Sequence, residues 1–235
     1  MTGSTTQDGG KTYQLTFDGL EEGEHTYTFK AVDAAGNETV TDALTAKLDK
    51  TKPVIGEITF EQKAANIFDW IIGRKSLILY IPVTEEGSGA DEISYTITPA
   101  SGIAQAAMAE LKAGVAKITL SADWKGSITD IKCTDAAGNV SDTKSITDAA
   151  NGFIVEDNPP EISFTVNGSE ALEEEYEEVP TIAVTVKDDR DNAVSAGLAS
   201  VIYQIGNDAE TALQEDFTAS LKTEIGFAIP AEKLP

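Results

Sequence analysis

A five-residue motif, Asp-Ala-Ala-Gly-Asn, occurs twice in this chain. One copy runs from Asp33 to Asn37 and the other from Asp135 to Asn139, so the two copies begin 102 positions apart. That spacing is about the length of one small β domain. The motif therefore predicts two successive modules of one type and marks the same place in each.

Short stretches of alternating or β-branched residues, separated by turn residues, lie between the two motifs. They predict strands at 54–60, 77–84, 93–98, 115–121, 127–134 and 139–147. The alanine-rich residues 103–112 fit either a short helix or a further strand. Six or seven short strands in about 100 residues predict an immunoglobulin-like β-sandwich.

Two polar stretches that end in proline divide the chain. The first runs from Leu48 to Pro53 and the second from Val155 to Pro160. Proline stiffens such stretches, as expected of linkers between domains. We therefore predict a complete module at 51–157, the C-terminal part of another at 1–50 and the N-terminal part of a third at 158–235.

The flanking segments carry patterns that agree with this division. Residues 25–31 alternate, so that Tyr27, Phe29 and Ala31 share a face that we expect to be buried. The last segment repeats the first half of the complete module: 181–186 matches 77–83, 198–205 matches 90–97, and 224–230 matches 115–121. The predicted fold class is all-β, with tandem immunoglobulin-like β-sandwich modules, one complete and two partial.

The charge of the chain excludes some classes of partner. It has 17 basic and 40 acidic residues and a net charge of −23, which argues against nucleic acid and against anionic membrane surfaces. No run of about 18 apolar residues is present, so we expect no membrane insertion. We expect any export signal to lie outside this chain.

The residues that usually carry catalysis are scarce. His25 is the only histidine and stands at the start of a predicted strand, where a solvated role is expected. Cys133 is the only cysteine, so it forms no intramolecular disulfide, and its strand position predicts a small buried apolar side chain. Pairs of acidic residues carry no specific signal in so acidic a chain. The sequence therefore predicts a protein that is not an enzyme.

Three short motifs together resemble those of a known family. Thr51-Lys52-Pro53-Val54-Ile55 resembles a module start of the form T-K-P-x-I, and residues 88–97 resemble an S-G-x-x-x-I-x-Y-x-I stretch. The repeated D-A-A-G-N resembles the module end. These motifs are similar to those of bacterial Ig-like repeat domains in Gram-positive cell-surface proteins.

The resemblance implies a large secreted, wall-attached bacterial protein with tandem modules. The expected role is a non-enzymatic structural spacer or stalk segment, with neighbouring modules of the same polypeptide as partners. One alternative is an adhesin module that binds a host glycan or protein. Another is an accessory domain of an extracellular carbohydrate-active enzyme or protease.

Acidic residues suggest a Ca²⁺ site at the joints between modules. In an immunoglobulin-like sandwich the entering linker, the loop after the second strand and the last hairpin turn lie at one end. Oxygen ligands from three loops suit Ca²⁺, which would stiffen a joint. The alternative is a purely structural turn, in which Asp opens it, Gly takes a positive φ and Asn caps it. The candidate ligands are Asp49, Glu85, Glu86, Asp135 and Asn139 at the first joint, and Glu156, Asp157, Asp188, Asp189 and Asp191 at the second.

The apolar stretch 65–74 is expected at the opposite end of the complete module. It contains Trp70, and Trp124 is expected in another loop at that end. Two tryptophans facing the following module predict an inter-domain contact. The alternative is a short helix that caps the core.

Overall fold

The computed structural model describes residues 2–6, 12–170, 176–188, 194–213, 217 and 223–229. These residues form β-strands and connecting turns, with one 3₁₀ turn at Thr147–Ala149 and no α-helix among them. In the same part of the chain, no helix has the length and apolar character that crossing a membrane requires. The prediction of an all-β chain is confirmed.

The chain begins with three pairs of antiparallel strands. Strand β1 pairs with β2, β3 with β6, and β4 with β5. Only the outer pair β3–β6 and the hairpin β4–β5 carry the 25–48 region that was expected as two longer strands. The bounds are β1 Thr2–Thr6, β2 Thr12–Thr16, β3 Gly23–Tyr27, β4 Lys30–Val32, β5 Glu38–Val40 and β6 Leu44–Leu48.

The central part of the chain forms one eight-stranded sheet. Its strands match most of the predicted positions, although several are longer than expected. The bounds are β7 Val54–Ile55, β8 Thr59–Ile67, β9 Trp70–Thr84, β10 Glu92–Pro99, β11 Gln105–Lys112, β12 Val115–Ser121, β13 Trp124–Cys133 and β14 Gly152–Glu156.

Six of these strands close into a barrel, where two separate sheets were expected. The hydrogen-bonded order is β12-β11-β10-β13-β14-β9, and β9 also pairs with β12. Strand β9 makes this closure possible because it serves two neighbours: residues 70–74 run parallel to β14, whereas residues 76–82 run antiparallel to β12. A kink separates the two parts, with Lys75 at φ 65°.

The stretch 65–74, expected as a loop or helical cap, is a β-hairpin. Strands β8 and β9 are joined by the two-residue turn Phe68-Asp69, and both residues have positive φ, 49° and 57°. Two successive positive φ angles give the type I′ turn that matches the twist of a hairpin. The sequence hides this turn because it lacks the Asn-Gly or Asp-Gly pair that usually occupies it.

The last part of the module also differs from the prediction. Residues 139–147 make only isolated bridges at Val140 and Lys144 instead of a strand. The closing strand is β14, which lies between β9 and β13 and is buried over its first four residues. Val155 and Glu156 therefore belong to the barrel and not to the linker. A strand covered on both sides has no polar alternation to reveal it.

The alanine-rich segment is a strand, which resolves the ambiguity at 103–112. Strand β11 pairs with β10 at six positions from Glu92↔Glu110 to Ile97↔Gln105. Strand pairing overrides the helix preference of alanine, since β structure depends more on neighbours than on intrinsic propensity.

The barrel encloses the main core of the described residues. Alternate side chains of the β12 sequence V-A-K-I-T-L-S point inward, as the period of a strand requires. The buried cluster is Ile71, Leu77, Leu79, Ile81, Ile93, Ala116, Ile118, Leu120, Ile128, Ile131, Cys133, Phe153 and Val155. Burial of Cys133 agrees with the prediction of a small apolar role.

The last segment repeats the pairing order of the first five barrel strands. Strand β15 pairs with β16, β17 with β18, and β19 with β16, just as β8 pairs with β9, β10 with β11, and β12 with β9. A small core lies between them, made of Val186, Leu198, Val201 and Phe217. The bounds are β15 Glu161–Val166, β16 Ile182–Lys187, β17 Ile202–Tyr203, β18 Thr211–Ala212 and β19 Glu224–Ile229.

Candidate functional site: an acidic joint

The two copies of the repeated motif form the same hydrogen-bonded turn. In the second copy, Asp135 accepts hydrogen bonds from the backbone N–H of Asn139 at 2.7 Å and from its side-chain Nδ2 at 2.9 Å. In the first copy the corresponding distances from Asn37 to Asp33 are 2.8 and 2.7 Å. The intervening glycines have φ of 90° and 92°, a region that favours glycine. The structural reading of the motif is confirmed.

The second turn does more than close a hairpin, because it contacts the linker that enters the barrel. The side-chain Nδ2 of Asn139 donates to the backbone oxygen of Asp49 at 3.2 Å. The backbone N–H of Ala137 donates to Ser88 Oγ at 3.0 Å, and that of Ala136 to Gly89 O at 2.8 Å. One turn thus holds both the linker and the loop after β9.

Asp49 fastens the linker to that same loop. Its carboxylate accepts hydrogen bonds from the backbone N–H of Ser88 and from that of Thr51, the latter at 3.0 Å. The hydrogen bond from Ser88 is the main cause that lowers the pKa of Asp49. A side chain at Gly87 would collide with this carboxylate, since a Cβ there would lie 2.1 Å from Asp49 Oδ2. Glycine is therefore required at that position.

The linker is also fastened to the strands that precede it. Lys50 Nζ donates to the backbone oxygen of Leu20 at 2.7 Å, and Thr51 Oγ1 donates to the carboxylate of Glu22 at 2.8 Å. Lys47, on β6, donates to the backbone oxygen of Gly87. The linker therefore has hydrogen bonds to both neighbours, and the joint links β3–β6 to the barrel.

Three carboxylates converge at this joint. One oxygen from each of Asp49, Glu85 and Asp135 lies within 4.8 Å of the others. Asp49 and Asp135 are 7% and 5% exposed, and Glu85 is half-buried. Like charges at this separation repel, and burial strengthens the repulsion. The cluster therefore favours a compensating positive charge.

Glu85 is the member of the cluster with an open position. Its Oε1 accepts the backbone N–H of Gly87 at 2.7 Å. Its Oε2 is buried and has no hydrogen-bond partner among the described residues. A buried carboxylate oxygen without a partner is costly, and oxygen ligands of this kind suit a hard cation such as Ca²⁺. The other two predicted ligands differ: Glu86 is exposed, and Asn139 contributes its amide to Asp135 and Asp49.

The second joint repeats these contacts with different residues. Glu156, like Asp49, lies four residues before a proline and accepts a backbone N–H, here from Ala196 at 3.1 Å. Asp188, like Glu85, follows the second strand, and it accepts Gly197 N–H at 2.8 Å and Ser195 Oγ–H at 2.7 Å. Burial and the nearby Asp188 carboxylate raise the pKa of Glu156.

Other predicted residues of the second joint have separate contacts or lie outside the described part. Asp157 is exposed and forms ion pairs with Arg74, at 3.6 Å, and with Lys75, at 3.9 Å. Asp189 and Asp191 lie outside the described residues. The structure thus brings together Glu156 and Asp188, whose carboxylates the loop 195–197 holds side by side.

The two tryptophans lie on neighbouring strands of the barrel and not in loops. Trp70, on β9, and Trp124, on β13, pair with opposite ends of β14, at Gly152 and Val155. Trp124 packs against the barrel core, while the Trp70 ring has Lys125 Nζ 4.8 Å from its centroid. The short helix proposed as an alternative is absent from residues 65–74. Their inter-domain contact stays a prediction.

Neither His25 nor Cys133 lies in an arrangement that suggests catalysis. His25 Nε2 contacts the backbone oxygen of Glu21 at 2.8 Å, within its own hairpin. The Cys133 thiol is buried and lies 3.5 Å from the backbone oxygen of Glu92. Burial, together with the charges of Glu85 and Asp135, raises the pKa of this thiol. A thiol held in its neutral form is a poor nucleophile.

Sequence reasoning missed the residues that complete the joint. Ser88 and Gly89 entered only as part of a family motif, although their backbone and side-chain groups connect Asp49 to the Asp135 turn. Lys47 and Thr51 gave no signal, because a lysine on a strand or a threonine in a linker is common. The serine–glycine pair after a strand-ending acid is the one signal that could have found this loop.

Comparison of the chain with protein-family models, with curated proteins and with solved structures finds no match. The role of these residues is therefore inferred from their own geometry.

Proposed function

We propose that this chain is a non-enzymatic structural spacer, a piece of a tandem array of immunoglobulin-like modules in a large extracellular bacterial surface protein. Its partners in this role are the neighbouring modules of the same polypeptide. The observation that carries the proposal is the repetition of one joint. Asp49 with Glu85, and Glu156 with Asp188, accept backbone hydrogen bonds from equivalent loops.

A repeated, hydrogen-bonded joint suits a spacer because it fixes the angle between successive modules. A flexible array would need only a polar linker, whereas here both ends of the linker are tied down by Asp49, Lys50 and Thr51. Proline after each linker restricts it further. The strong negative charge keeps such modules from sticking together.

Residual dipolar couplings test the rigidity of the first joint. We expect couplings from residues 17–48 and from the barrel to fit one alignment tensor. Asp49→Ala removes the acceptor of two linker hydrogen bonds, and we expect it to require two tensors. Asp42→Ala, an exposed acid in the same segment, is the matched control and should keep one. Two tensors in the unaltered protein would contradict a rigid joint.

We also propose that the carboxylates of Asp49, Glu85 and Asp135 bind Ca²⁺ and so stiffen this joint. The specific observation in favour is Glu85 Oε2, which is buried without a partner beside two further carboxylates. The Asp49 and Asp135 oxygens already accept hydrogen bonds, so bound Ca²⁺ would add water ligands to reach its usual coordination.

Thermal melting during a Ca²⁺ titration tests this second proposal. Ligand present at about ten times its Kd stabilises the folded state by about 1.4 kcal/mol, which raises the melting temperature. Glu85→Gln should abolish the rise, whereas the exposed Glu86→Gln should keep it. Mg²⁺ should have a smaller effect, because it gives up its water ligands reluctantly. An unchanged midpoint at millimolar Ca²⁺ would refute the site and leave the spacer proposal intact.

A further inference from the structure

A residue in the first segment exposes what its counterpart in the barrel buries. Phe29 and Ile131 each lie four residues before the aspartate that opens the repeated turn. Their backbone oxygens accept hydrogen bonds from the returning chain, from Thr41 at 2.8 Å and from Lys144 at 2.9 Å. Yet Phe29 is 46% exposed and Ile131 is 0% exposed. The strands around Phe29 therefore carry a core face that has no core.

The last segment has the complementary defect. Ile162 occupies the position of Ile55, because Ile55 pairs with Val83 and Ile162 pairs with Val186, two residues before the joint acid in each case. Ile55 packs against the barrel core, whereas Ile162 is 69% exposed. In the barrel, β7 is in contact with β13. The side chain of Ile162 is thus uncovered where a strand equivalent to β13 would lie.

The edge of β17 tells the same story. In the barrel, β10 pairs with β11 on one side and with β13 on the other. In the last segment, β17 pairs with β18, and no described strand pairs with its second edge. The strands that complete the barrel at this edge are β13 and β14, and their counterparts in this chain are β3–β4 and β6, in residues 23–48.

We propose that residues 23–48 of one copy of this chain complete the module formed by residues 161–229 of a second copy. In this arrangement the Phe29 face covers Ile162, and the free edge of β3–β4 pairs with β17. The barrel of the same chain is the template, since it contains both halves already assembled. The Asp33 turn would then lie beside Glu156 and Asp188, which continues the second joint as the Asp135 turn continues the first.

Such a contact is heterologous, because the two surfaces that meet are different. Each chain carries one of each, so the assembly extends head to tail rather than stopping at a dimer. Charge opposes it: residues 1–50 carry a net charge of −5 and residues 158–235 one of −12. Salt screens repulsion between exposed charges, so assembly should strengthen as ionic strength rises.

Sedimentation velocity of the full chain tests the proposal. We expect species larger than a dimer to grow as the chain concentration rises from about 5 µM to about 500 µM, since association follows mass action. The growth should be greater in about 500 mM than in about 20 mM NaCl. A monomer throughout these ranges, or an assembly that stops at a symmetric dimer, would overturn the proposal.

Two variants make the test specific. Phe29→Asp should remove one surface and Ile162→Asp the other, so each variant alone should remain monomeric. Mixed in equal amounts, they should form a one-to-one heterodimer, because the Ile162 face of one meets the Phe29 face of the other. Failure of the mixture to associate, where the unaltered chain does, would overturn the proposed pairing.

Matched controls guard against a general effect of losing an exposed apolar side chain. Phe68→Asp and Ile103→Asp change exposed residues of the barrel, and both should assemble like the unaltered chain. The inference rests on the module repeat that the proposed function also uses, but on neither joint rigidity nor Ca²⁺. Its failure would therefore leave the dipolar-coupling and Ca²⁺ outcomes to decide those proposals by themselves.

Discussion

The two Asp-Ala-Ala-Gly-Asn turns are locally alike and differ in their surroundings. Asp33 and Asp135 accept the same pair of hydrogen bonds from the asparagine four residues later. Asp33 is exposed, whereas Asp135 is 5% exposed and its turn holds the linker and the Ser88 loop. The comparison teaches that five residues suffice to make the turn, while neighbouring strands decide whether it becomes part of a joint.

The two joints differ in the same instructive way. Both use an acid before the linker and an acid after the second strand. At the first joint, hydrogen bonds lower the pKa of Asp49, chiefly that from Ser88. At the second joint, burial and the Asp188 carboxylate raise the pKa of Glu156. The Asp135 turn is present only at the first, where its groups complete the network.

The largest effect should come from the core position before each turn. Ile131→Ala removes a fully buried side chain and should destabilise the barrel by about 2–5 kcal/mol. Phe29→Ala, at the equivalent position, should leave barrel stability within about 0.5 kcal/mol, because that side chain is not part of a core. Urea unfolding followed by tryptophan fluorescence measures both, since Trp70 and Trp124 lie in the barrel. Equal losses would remove the distinction between the two regions.

A smaller effect should follow from the asparagine of each turn. Asn139→Ala leaves the buried Asp135 carboxylate without two of its donors' geometry and breaks the bond to Asp49 O, at a cost of about 1–3 kcal/mol. Asn37→Ala breaks an exposed turn and should not change barrel unfolding. Urea midpoints give the difference, and loss of the single alignment tensor in Asn139→Ala alone would sharpen it. An unchanged midpoint for Asn139→Ala would mean that the turn is not part of the joint.

The smallest effect should be the opposite response of the joints to acid. Because the pKa of Asp49 is lowered, its contribution to stability is present above its ordinary value of 3.8 and is lost as pH falls through the lowered folded value. Because the pKa of Glu156 is raised, the folded state pays a penalty that is absent below the ordinary 4.5 and appears as pH rises through the raised value. Mild acid should therefore tighten the second joint before stronger acid loosens the first.

Amide hydrogen exchange at Ser88 and Ala196, the two donors, reports each joint separately. Protection at Ala196 should increase on mild acidification, after correction for the intrinsic pH dependence of exchange. Protection at Ser88 should fall at lower pH. Glu156→Gln should abolish the first change and Asp49→Asn the second. Responses in the same direction at both amides would refute the assigned pKa shifts.

The sequence by itself determined the local features. The repeated motif predicted two identical turns, and these formed because an Asp carboxylate, a Gly with positive φ and an Asn amide satisfy one another within five residues. The alternating patterns predicted an all-β chain and most of the strands for the same reason, since the period of a strand is a local property. The acidic residues of the first joint were also identified in part, because a repeated fold places equivalent loops at one end.

Only the tertiary structure decided which strands closed the barrel and which acids met. Strand β9 divides its edge between β14 and β12, and β14 is buried among distant strands, so neither has a pattern that a short window can reveal. Glu85 and Glu86 are adjacent in sequence, yet only Glu85 faces Asp49 and Asp135. Burial and convergence depend on residues far apart in the chain, and the same turn is therefore exposed at Asp33 and buried at Asp135.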